Sequence, residues 1–163
     1  GVTMGPVSTA NQLRDARAGI DALAAGNRVA LGGSAALDGR NAPEGKGYYV
    51  RPTVIVGDNG KAHDLEVFGP VVTVQRAKSD EQVLEWANDC RFGLASSVWT
   101  RDIARALKVS RALQFGTVWV NDHFTLASEM PHGGYKQSGY GKDQSMYALE
   151  DYTVAKHVML RSE

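Results

Sequence analysis

Asp64-Leu65-Glu66-Val67-Phe68-Gly69-Pro70-Val71-Val72 is the stretch from which the fold is read. Gly69-Pro70 punctuates a loop, and the β-branched run Val71-Val72-Thr73-Val74 after it has the character of a buried strand. Glu66 and Phe68 are therefore expected on a loop at a strand's entrance, where a rigid scaffold can aim them at a ligand.

Downstream the pattern alternates. After the strand Val71–Gln75, Ser79-Asp80-Glu81-Gln82 is a capped start for a helix reaching Cys90, with Val83, Leu84, Trp86 and Ala87 on its apolar face. Residues 94–100 read as the next strand. Arg101/Asp102 opens a helix to about Gln114, with a stripe of Ile103, Ala106, Leu107 and Leu113, and residues 116–121 form a third strand. Such alternation predicts parallel strands with right-handed crossovers. The implied fold is α/β, an open, mostly parallel sheet with helices on both faces.

Upstream, residues 8–26 read as a helix capped by Ser8, with Leu13, Ala16, Ile20 and Leu23 at helical spacing. Arg28–Leu31 is a short strand, residues 35–47 a loop, and residues 48–56 strand-like. Pro52 lacks an N–H and so belongs at an edge or bulge. Residues 57–60 turn the chain. In the last third, residues 123–141 are a loop rich in Gly, Ser and aromatics, and residues 144–152 a short helix. Residues 153–160 are a β-branched strand arriving alone, which needs a neighbouring edge for its backbone groups. There is no internal repeat and no evident linker. Residues 1–152 are expected to form one domain, followed by a tail at 153–163.

Composition narrows the function classes. Eighteen basic and 18 acidic residues balance to zero, which argues against a nucleic-acid or membrane-surface binder. No apolar run of roughly 18 residues exists to span a membrane, and the first residues do not resemble a signal peptide. A single cysteine, Cys90, excludes an internal disulfide or a multi-thiolate metal site and suits the cytoplasm; it is expected to be a buried structural thiol. His63, His123 and His157 have no metal-ligand spacing. Gly139-x-Gly141 lacks the third glycine and the leading strand of a dinucleotide fingerprint.

The chain resembles the aldehyde dehydrogenase superfamily along almost its whole length. Met4-Gly5-Pro6-Val7 with Gln12 resembles its Gly-Pro segment, and Gly47-Tyr48-Tyr49-Val50-Arg51-Pro52-Thr53 its aromatic-Pro-Thr strand. Glu66-Val67-Phe68-Gly69-Pro70-Val71 is similar to its Glu-x-Phe-Gly-Pro-Val. Asn88 with Gly93-Leu94-Ala95, the strand from Gly116 to Asn121, and Pro131-His132-Gly133-Gly134 follow in the family's order. Lys136-Gln137-Ser138-Gly139-Tyr140-Gly141-Lys142-Asp143 completes it. Trp99, Glu129-Met130-Pro131-His132 and Tyr147-Ala148-Leu149-Glu150-Asp151-Tyr152 look most like the bacterial γ-aminobutyraldehyde dehydrogenases, with betaine aldehyde dehydrogenases as near neighbours.

The resemblance implies an NAD- or NADP-dependent oxidation of an amino-aldehyde such as 4-aminobutanal to its acid, with betaine aldehyde or a semialdehyde as the alternative substrate. In the family, a cysteine thiolate attacks the aldehyde, hydride passes to the nicotinamide, and the thioester is hydrolysed. The family's nucleophile, general base and dinucleotide-binding domain are not carried by these residues, so this is expected to be a carboxy-terminal fragment, inactive alone. By resemblance, Glu66 accepts hydrogen bonds from the nicotinamide ribose and Phe68 packs beside its ring. Phe124, Leu126, Glu129 and His132 line the substrate entrance. Lys136 and Gly139 offer backbone carbonyls to a potassium ion, and Asp143 is assigned a charge relay, although the family has glutamate there. Residues 153–160 are expected to pair with another subunit, giving dimers and tetramers. A non-catalytic oligomerisation module of the same fold is the other reading.

Overall fold

The computed structural model describes residues 4–37, 46–57 and 65–163. The chain divides into two compact units, Gly1–Lys78 and Ser79–Glu163.

In the first unit, helix α1 (Ala10–Ala24) precedes strands β1 (Arg28–Leu31), β2 (Thr53–Gly57) and β3 (Val71–Gln75). Thr9, not Ser8, caps α1: its hydroxyl accepts the Gln12 N–H, while Gln12 Oε1 accepts the Ser8 N–H at 2.9 Å. The two side chains answer each other, so the helix starts one residue later than composition suggests. Ala16, Ile20 and Leu23 recur at helical spacing and are all buried, and the helix packs on β2.

The strands form one sheet in the order β1-β2-β3, with β1 antiparallel and β3 parallel to β2. Central β2 is buried at Thr53, Ile55 and Gly57, whereas edge β1 is exposed throughout. Pro52 sits at neither an edge nor a bulge. It immediately precedes β2, which must donate on both sides and cannot hold a residue without an N–H. The irregularity of pairing lies instead between Val29 and Leu31. Among the described residues, Thr53 is the one buried polar side chain, and its hydroxyl is satisfied by the Arg51 carbonyl (2.9 Å) and the Gly33 N–H (3.0 Å).

The second unit opens with α2 (Asp80–Asn88), followed by β4 (Phe92–Gly93), β5 (Ala95–Val98), α3 (Ile103–Ala112) and β6 (Thr117–Val120). Then come β7 (Tyr135–Lys136) and α4 (Ser145–Asp151). The Ser79 hydroxyl caps α2 as expected, though the helix stops at Asn88 and not Cys90. Strands β5 and β6 are parallel, in register from Ala95↔Thr117 to Val98↔Val120, with α3 as the crossover. The buried stripe of α3 is Ala106 and Val109, followed by Leu113, whereas Ile103 and Leu107 are exposed. The helix is rotated so that its smaller residues meet the sheet.

The stretch at 123–141 is not loop throughout: β7 pairs antiparallel with β4, and His132 forms a bridge to Asp143. Residues 153–160 take no strand pairing among the described residues and are exposed. Cys90 is half-buried where it was expected to be buried, with its sulfur facing the Phe92 N–H at 3.5 Å. No helix of the described residues is long and apolar enough to cross a membrane. His63, Asp64 and the turn at 58–60 lie outside the described residues.

Candidate functional site

In the first unit the chemistry-bearing positions sit on the loop entering β3. Val67 is turned inward: a Cβ placed on Gly19 of α1 would lie 2.8 Å from its Cγ1. Gly69 rides on the same helix, with its Cβ position 3.0 Å from Ala16. The helix therefore needs a glycine and an alanine where the loop crosses it. With Val67 tucked in, its neighbours Glu66 and Phe68 face outward, and Phe68 is 76% exposed.

Phe68 adopts φ +47°, left-handed for an L residue, and its carbonyl accepts from Gln12 Nε2 at 3.4 Å. The Pro70 carbonyl accepts the Thr53 N–H at 2.9 Å, so the loop is stitched directly to β2. A groove of about 350 Å³ results, lined by Glu66, Phe68, Val71 and Thr73 among others. Glu66 has no hydrogen-bond partner among the described residues, leaving its carboxylate oxygens available to a ligand.

In the second unit, Asn121, at the end of β6, grips the backbone of Thr100 with both side-chain atoms, accepting its N–H and donating to its carbonyl, each at 2.8 Å. Asp122 accepts from the Thr125 hydroxyl at 2.6 Å and from the His123 N–H at 2.8 Å. The Thr125 hydroxyl above all, and then the His123 amide, hold its carboxyl below the ordinary aspartate range. The indole of buried Trp119 donates to the Thr125 carbonyl at 2.7 Å. His123 stacks edge-on against Trp119 and meets the Ser97 hydroxyl through Nδ1 at 2.7 Å. Phe124 follows at φ +68° and is 74% exposed.

Leu126 and Glu129 are exposed on the same loop, and His132 is half-buried with Nδ1 3.0 Å from the Thr117 hydroxyl. Two backbone bonds tie His132 to Asp143, at 2.9 and 2.6 Å. Asp143 thus lies directly across from His132, with its own side chain exposed.

Lys136 is left-handed at φ +54°, and its ammonium reaches the carbonyls of Asn88 (2.6 Å) and Cys90 (2.9 Å) beyond the end of α2. Its own carbonyl accepts the Gly139 N–H at a long 3.3 Å, leaving a lone pair for another partner. Phe124, Leu126, Glu129, His132, Lys136, Gly139 and Asp143 therefore share the second unit, while Glu66 and Phe68 belong to the first. Sequence reasoning missed the anchoring role of Val67 and the tie-down by Asp122, Thr125 and Trp119. Only the adjacent polar pair Asn121-Asp122 after an apolar strand hinted at the latter.

The sequence pattern of the aldehyde dehydrogenase family matches residues 1–158. Betaine aldehyde dehydrogenase of Bacillus subtilis is 44% identical over 114 residues, covering 69% of this chain and 23% of that protein. The NADP/NAD-dependent aldehyde dehydrogenase PuuC of Escherichia coli is 44% identical over 126 residues, covering 76% and 25%. Among solved structures, the betaine aldehyde dehydrogenase of Staphylococcus aureus in complex with NAD+ superposes with a TM-score of 0.83 at 36% identity, covering 96% of this chain and 31% of that one. The chain spans between 23% and 31% of the length of these relatives. Their α/β fold is the fold found here.

Proposed function

The chain belongs to the aldehyde dehydrogenase family, and from that premise we propose that it is part of an NAD- or NADP-dependent enzyme oxidising an amino-aldehyde, such as 4-aminobutanal, to its acid. The observation that carries this is the groove at the entrance of β3, where Val67 is anchored and Glu66 and Phe68 are left facing outward. A carboxylate offers only acceptors and suits the two adjacent hydroxyls of a ribose; an aromatic ring suits the flank of a planar nicotinamide. When bound, the nicotinamide supplies hydride acceptance. These residues orient it, and catalysis gains from that positioning. NAD+ in the Staphylococcus aureus relative supports the assignment.

On the substrate side, Phe124, Leu126, Glu129 and His132 line the entrance, with Glu129 attracting the substrate's ammonium group. Asp143 is assigned the charge relay that the resemblance implies, its exposed carboxylate carried by the backbone bridge to His132. A potassium ion would take oxygen ligands from the Lys136 and Gly139 carbonyls, which fits the open lone pair on the former. Betaine aldehyde is the second substrate reading, favoured by the relatives' names. Residues 1–152 are assigned to the catalytic domain and residues 153–163 to an oligomerisation tail, in a cytoplasmic homotetramer.

The test is a panel of 4-aminobutanal, betaine aldehyde and a semialdehyde, with NAD and NADP, on the complete protein that contains this chain. Reduced cofactor should form fastest with 4-aminobutanal, and residues 1–163 alone should give none. A complete protein inert towards all of them would overturn the reading.

A further inference from the structure

The segment 121–125 is tied down on every residue but one. Asn121 is locked to Thr100, Asp122 to Thr125 and the His123 amide, His123 to Ser97 and the Trp119 ring, and Thr125 to the Trp119 indole. Phe124 is the exception: no side-chain hydrogen bond can hold it, and its ring meets only the tilted His123 ring, centroids 6.3 Å apart, and is otherwise exposed to solvent. It also takes a left-handed backbone conformation at φ +68°, which a bulky L residue adopts only where its surroundings over-determine it.

What over-determines it is the Asp122 carboxylate. One oxygen accepts the amide just before Phe124 and the other accepts the hydroxyl just after, so the two bonds bracket that residue. We infer that Asp122 is a positioning residue, whose carboxylate holds Phe124 in its left-handed turn and so sets the ring presented to the aldehyde. This rests on the dehydrogenase reading and deepens it: discrimination among aldehydes by chain length depends on a residue that touches none of them. The low-lying titration of Asp122 agrees, since both hydrogen bonds favour the ionised form.

Asp122→Ala in the complete protein removes both acceptors, Thr125→Val removes one donor, and Asp122→Asn keeps an acceptor oxygen. Asp122→Ala should raise KM about tenfold for aldehydes long enough to reach the ring, with kcat and short-aldehyde KM changed less than about threefold. Thr125→Val should shift the same way and Asp122→Asn should restore most of the difference. Amide exchange at His123, read by NMR or mass spectrometry without aldehyde, should quicken about tenfold in Asp122→Ala. Unchanged KM ratios across the panel with unchanged exchange at His123, in either Asp122→Ala or Thr125→Val, would overturn the inference. A parent protein inert towards every aldehyde would overturn the dehydrogenase reading instead, and the exchange measurement would still decide whether the carboxylate holds the turn.

Discussion

Gly116, Gly133 and Gly134 stand where backbones meet, and none of them is left-handed. A Cβ on Gly116 would fall on the Gly133 carbonyl oxygen, and one on Gly134 would lie 2.7 Å from the Ser138 carbonyl. Backbone cannot swing aside as a side chain can. Gly116→Ala is expected to cost about 1–3 kcal/mol of stability in the complete protein, as overpacking does. Gly5→Ala, in open space, should leave the denaturant midpoint unchanged. Equal midpoints for the two variants would refute the close-approach argument. Glu66→Gln keeps the size of the side chain but loses its charge and one acceptor oxygen. On the orienting role proposed for it, hydride transfer should slow about tenfold while cofactor affinity barely moves. Single-turnover kinetics with a deuterated aldehyde checks this: a rate and isotope effect equal to the parent's would return Glu66 to a solvated surface role.

Helix α2 has no fully buried residue and is held by its ends. Ser79 caps it, Asp80 and Glu81 sit in the first turn where the helix dipole favours negative charge, and the Asn88 amide bonds the Ala112 carbonyl and the Gln114 N–H. The Arg105 guanidinium of α3 grips the Asp80 carboxylate through Nε, at 3.0 and 2.8 Å, and also through Nη2. That hydrogen bonding, with the Arg105 charge behind it, lowers the Asp80 pKa below its ordinary value. In the unfolded chain the carboxyl titrates near the usual value of about 3.9. The pair's contribution is therefore fully present above that pH and fades as the pH falls through the lower folded-state pKa. Asp80→Asn should lower the urea midpoint of the complete protein at about pH 7, and the gap to the parent should narrow as the pH falls below the unfolded-state value. A gap that stays constant with pH would remove the ion pair from the account.

Each unit leaves apolar surface uncovered. In the first, Val72 and Val74 on the outer face of β3 are about half exposed. In the second, the tail carries Val154 (94% exposed), Val158, Met159 and Leu160. Unpaired backbone and bare apolar side chains on one terminal segment are what an intersubunit strand needs. Removing residues 153–163 from the complete enzyme should therefore reduce its sedimenting mass. A truncated protein that stays folded in the parent's oligomeric state would remove the tail from the proposed subunit contact.

The sequence by itself determined most of the helices and strands and the loop that enters β3. Caps, Gly-Pro punctuation and periodicity act over three or four residues, so Val71–Gln75, the Ser79 cap and the α3 crossover were legible, as was the exposed pair Glu66 and Phe68. Tertiary structure decided what depends on partners far along the chain. Thr100 and Asn121 are 21 residues apart, Ser97 and His123 are 26, and Gly19 meets Val67 across the loop and two strands. No local pattern encodes such register. For the same reason the rotation of α3, the place of Pro52 ahead of a doubly paired strand, the pairing of His132 with Asp143 and the bracket around Phe124 emerge only when the chain has folded.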